Sequence, residues 1–116
     1  MKRYIQKYLF GKKVYKVKAR YNTEKLYEFF KKLTDGTITN QKPDGKEIVS
    51  SMKRAKITEP GIIEWFEVCY CKTPLQHERE TVYDLYLSEI TTELVEDYGE
   101  VEGKSFWAYL DSVSEK

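Results

Sequence analysis

Residues 15–21 alternate without a break: Tyr15, Val17, Ala19 and Tyr21 take one set of positions, and Lys16, Lys18 and Arg20 the other. A period of two sends the two sets to opposite faces of a strand. The chain must therefore supply a core for one face and water or an anionic partner for a row of cations on the other. Same-face residues on a strand lie about 6.6–6.8 Å apart, comparable to phosphate spacing along a nucleic-acid strand.

After this strand the period changes. Leu26, Phe29, Phe30 and Leu33 recur at i, i+3, i+4 and i+7, the apolar stripe of a helix packed on a sheet. Asn22 or Thr23 is placed to cap its start, and Gly36 suits a left-handed C-terminal cap. Residues 37–45 read as a loop with a turn at Pro43-Asp44-Gly45.

A second strand is expected over 46–58, a turn at Pro60-Gly61, and a third strand over 62–71. Thr73-Pro74, with Gln76 to complete a capping box, opens a second helix. Its expected inner face is Leu75, Arg79, Val82, Leu85 and Tyr86. A fourth strand spans 90–95, an acidic loop 97–103, and a short helix or last strand 105–114. Upstream, residues 3–10 read either as a strand paired to 13–21 through a Gly11-Lys12 turn, or as a short helix.

From residue 13 the order is β-α-β-β-α-β. This predicts an α+β, two-layer, ferredoxin-like antiparallel sheet with helices on one face, plus the N-terminal strand or helix and the C-terminal helix or strand. At 116 residues, 41% hydrophobic, the chain can bury one core as a single domain, 1–116. That fold hosts many functions and implies none.

Charge is distributed unevenly. Residues 1–58 hold 16 Lys/Arg against 5 Asp/Glu, and residues 59–116 hold 4 against 14, although the net charge is only +1. Such asymmetry points to an anionic partner or to self-compensation. In the first reading Lys16, Lys18 and Arg20, joined by Lys53, Arg54 and Lys56, contact nucleic-acid phosphates or another polyanion without reading bases. In the second the acidic half neutralises the basic half, within the chain or across a homo-oligomer, and nucleic acid has no role. RNA-recognition modules share the element order, but the third strand here lacks the basic residue and second glycine of their signature.

No P-loop, dinucleotide fingerprint, nucleophile elbow or His-Glu-x-x-His is present, so the sequence points to no enzyme class and no cofactor. Cys69 and Cys71 would share a strand face, and His77 comes six residues later. Together they could begin a zinc or iron site, but a fourth ligand would have to be a carboxylate or water. The plainer reading makes both cysteines small core residues and His77 a solvated helix position, with no metal. Two cysteines this close are no disulfide framework, which fits a reducing cytoplasm. No run approaches the roughly 20 apolar residues of a membrane span, so no membrane partner is expected.

Overall fold

The computed structural model describes residues 12–114. The expected hairpin or helix over 3–10 lies outside them. Strand β1 is Lys13–Tyr21, followed by a 3-10 turn, Thr23–Lys25, and helix α1, Leu26–Thr34. Helix α2 is Gly45–Arg54, strand β2 Lys56–Glu59, and strand β3 Ile62–Cys69. Helix α3 runs as Gln76–Glu78, a π-helical stretch Arg79–Tyr83, and Asp84–Tyr86. Strand β4, Leu87–Val95, short strand β5, Lys104–Ser105, and helix α4, Phe106–Ser114, complete the order.

The protein is thus α+β: five antiparallel strands in the order β4-β1-β3-β2-β5, with four helices. β1 sits between β4 and β3 over most of its length. Tyr15, Val17 and Ala19 lie opposite Glu67, Trp65 and Ile63 of β3, and all six are buried. Lys16 and Lys18 face the other side. The alternation that opens the sequence is therefore the sandwich itself: odd residues of β1 meet the helices, even residues the open face.

Aromatic packing joins the helices to this sheet. Phe29 of α1 stacks on Tyr86 of α3 at 4.6 Å and 8°. Phe106 of α4 tilts against Phe29 and Tyr21. The offset stack and the tilted pairs are the arrangements aromatic quadrupoles favour.

Two expectations are corrected. Residues 46–58 are not one strand: Ile48, Met52 and Ala55, at i, i+4 and i+7, are all fully buried, the spacing of a helix face. Only Lys56–Glu59 is extended. Second, the capping box at Thr73 does not form. The residue before α3 is Leu75, left-handed at φ 55° and without a side-chain cap. The π stretch then rotates the helix, so Tyr83 is buried while Leu85, expected inside, is 53% exposed.

Candidate functional site

The six basic candidates separate into two groups. Lys16, Lys18 and Arg20 lie on the open sheet face, each beside a carboxylate: Lys16 with Glu64 at 3.7 Å, Lys18 with Glu59 at 3.8 Å, Arg20 with Glu89 at 2.9 Å. Register adds more. Lys16 lies opposite Glu93 of β4, and Glu64 lies between Lys18 and Lys56. Signs are interleaved across the face.

Lys53 and Arg54, with Lys56 at the margin of the open face, line a cleft of about 530 Å³ bordered by loop residues 99–103, which bring Glu100 and Glu102. Lys53 stands over the Trp107 ring at 5.3 Å. Arg54 is pinned: its guanidinium donates to the Phe66 carbonyl at 2.8 Å and lies over the Tyr98 ring at 4.8 Å. It also faces Glu47 at 3.4 Å, and Tyr98 donates to the same Glu47 oxygen at 2.9 Å.

Behind Glu47 lies a buried polar cluster. Glu47 Oε2 accepts from the Val68 amide at 3.1 Å, so α2 is tied to the end of β3. The neighbouring β3 residue, Glu67, points into the core. Its Oε1 accepts from Trp65 Nε1 and from the Tyr83 hydroxyl, each at 2.7 Å, and its Oε2 is buried without a partner. Burial raises its carboxyl to about 8, against the opposing pull of those two donors.

Beside it the chain places Cys69 and Cys71, both free thiols, against Glu78 in the first turn of α3. Each sulfur lies 3.7 Å from Glu78 Oε1. The Cys71 amide donates to Cys69 Sγ at 3.2 Å. Glu78 is 1% exposed, and burial raises its carboxyl; burial also pushes the Cys69 thiol up to about 12. A cavity of about 320 Å³ opens here, lined among others by Asp44, Glu47, Cys71 and Glu78.

His77 does not join the cysteines. Its Nδ1 pairs with Asp44 Oδ2 at 2.8 Å, while Asp44 Oδ1 is buried with no partner. Among the described residues, the three groups whose ligand atoms converge within 4.8 Å are Cys69, Cys71 and Glu78.

The residues that sequence reasoning missed are therefore Glu67, Glu78, Asp44 and Glu47. One signal was available. Ile63, Trp65, Glu67 and Cys69 share strand parity, which sends Glu67 inward with the core. Compared with known proteins, the chain matches no family model, no curated protein and no solved structure. Among the described residues no helix is long and apolar enough to cross a membrane.

Proposed function

We propose that this chain is a small binding domain that neutralises its own charge and associates with a second copy through the outer edge of β4. The observation that carries the reading is the edge itself. Among the described residues β4 is the terminal strand of the sheet, and Thr91, Glu93 and Leu94 are exposed. A bulge separates it from β1 between Lys18 and Arg20, where Glu89 turns left-handed at φ 52°. That leaves 90–95 as the regular stretch available for pairing.

This stretch is self-complementary. A two-fold axis at Thr92 sets Ile90 against Leu94 on the core-side face and Thr91 against Glu93 on the other, each pair twice. Cross-strand apolar and hydroxyl–carboxylate pairs are favourable, and no like charges oppose. The interleaved ion pairs of the open face support the same reading, because they leave the lysines and arginine of β1 little need of an external anion.

Light scattering at low and high salt tests it. The expected result is a concentration-dependent dimer at both salt strengths, reduced to monomer by Leu94→Lys. A monomer under both conditions at high protein concentration overturns it.

A polyanion reading draws on a different observation, the convergence of Lys53, Arg54 and Lys56 on one cleft. Phosphate contacts there would show a linear fall of log affinity with log salt for mixed-sequence DNA and RNA. Flat dependence, or no binding at low salt, removes it. The free thiols fit a reducing, cytoplasmic setting. The antiparallel neighbours β4-β1-β3-β2 support a ferredoxin-like core to which β5 and α4 are added.

A further inference from the structure

We propose that Cys69, Cys71 and Glu78 form a binding site for a thiophilic divalent cation of the Zn²⁺ class, with water in the fourth position. This site is separate from both the β4 edge and the basic cleft, and it depends on neither.

Three observations converge. First, the donor set mixes two sulfurs with a carboxylate, which suits Zn²⁺ and disfavours the oxygen-seeking Mg²⁺ and Ca²⁺. Second, the spacing fits. A tetrahedral ion with metal–sulfur bonds of about 2.3 Å and metal–oxygen bonds of about 2.1 Å requires S···O edges of about 3.6 Å. Both observed edges from Glu78 Oε1 are 3.7 Å. Third, a second carboxylate borders the same cavity. Asp44 lines the same cavity as Cys71 and Glu78, and its Oδ1 is buried with no hydrogen-bond partner. A buried carboxylate oxygen left bare is costly unless a proton or cation occupies it.

The surroundings behave as a supporting shell. His77 holds Asp44 Oδ2 at 2.8 Å, leaving Oδ1 as the oxygen not engaged by the imidazole. The Cys71 amide donates to Cys69 Sγ at 3.2 Å, a contact that strengthens when the sulfur becomes a thiolate. Binding forms two metal–thiolate bonds and sends the displaced thiol protons to solvent.

The test uses the full chain, reduced and stripped with a chelator, titrated with Co²⁺ and then Zn²⁺. The expected result is one equivalent of Co²⁺ bound, with a thiolate-to-cobalt charge-transfer band that Zn²⁺ abolishes. Cys71→Ser should reduce the band to that of one thiolate, the double variant Cys69→Ser/Cys71→Ser should abolish it, and Glu78→Gln should weaken affinity. Asp44→Asn and His77→Ala should each weaken it about 10–100-fold, the range for supporting groups. Far-UV circular dichroism confirms that the variants fold. Absence of the charge-transfer band in the folded wild type overturns the proposal. So does affinity unchanged in both Cys71→Ser and Glu78→Gln.

Discussion

Tyr83 donates its hydroxyl hydrogen to Glu67 Oε1 across 2.7 Å, a bond that crosses from the helix layer to the sheet in the interior. Neither group reaches water, and Glu67 Oε2 has no partner. The acid is therefore best accommodated with its proton on.

This gives a signed pH prediction. The Glu67 carboxyl is raised from 4.5 to about 8, so the folded chain holds a proton that the unfolded chain releases. Below pH 4.5 both states are protonated and there is no penalty. Between pH 4.5 and 8 this group costs stability as pH rises, at up to about 1.4 kcal/mol per pH unit, and above 8 the penalty is constant. Glu67→Gln mimics the protonated acid. Urea melts across this range should show the variant equal to the wild type near pH 4.5 and more stable by a few kcal/mol near pH 8. Parallel pH profiles of the two proteins would refute a neutral Glu67.

Gly45 opens α2 beneath the preceding loop. A methyl group there would lie 2.0 Å from the Ile38 carbonyl oxygen and 2.9 Å from that of Thr39, both backbone atoms. Gly45→Ala should therefore cost about 3 kcal/mol or more, at the upper end for overpacking. Gly36→Ala, strained by φ +94° but facing only the Asn40 side chain, should cost about 1–2 kcal/mol. Thermal denaturation of the two variants orders them; the reverse order would contradict the packing described.

Arg54→Lys keeps the charge and loses the fork. Nη2 meets the Phe66 carbonyl, Glu47 and the Tyr98 hydroxyl, Nη1 donates to Ser50, and the plane lies over the Tyr98 ring, whereas an ammonium can take the place of one nitrogen only. A loss of about 1–2 kcal/mol is expected. Amide exchange should rise in 96–103, the segment that Tyr98 anchors, and stay unchanged in β1. Uniform acceleration would mean that Arg54 supports the whole fold instead.

The ion pairs of the open face should matter little. Lys18 and Glu59 are half or more exposed, so Lys18→Gln should shift stability by less than about 1 kcal/mol. Phe29→Ala, which removes the stack on Tyr86 in the core, should cost about 3–5 kcal/mol. Chemical denaturation of the pair measures the contrast; a larger loss at Lys18 would assign the open face a structural role that its exposure argues against.

Much of the scaffold is legible in the residues. The alternation of 15–21 and the Leu26-Phe29-Phe30-Leu33 stripe each have one period and one solution, and both form as read. Residues 46–58 misled because Ile48-Val49 is β-branched, a strand signal, while the helical spacing of Ile48, Met52 and Ala55 spans the rest of the segment. The cysteines were visible, but their carboxylate partner was not. Glu78 is 7 and 9 residues away, on a helix whose phase depends on a left-handed Leu75 and a π turn. Neither has a sequence signature of its own.

That π turn sets the angular phase of α3. At about 100° per residue, a regular helix would leave Glu78 and Tyr83 roughly 140° apart around its axis. Widening the helix between them lets one short segment address two distinct interior neighbours, the thiols at one end and Glu67 at the other. The register of α3 thus behaves like a reading frame. Removing one residue from Arg79–Tyr83 would yield a regular helix with Glu78 and Tyr83 four apart, about 40° from each other, so both keep their inward face; aligning the full-length α3 to an ordinary amphipathic helix instead turns Tyr83 away from it.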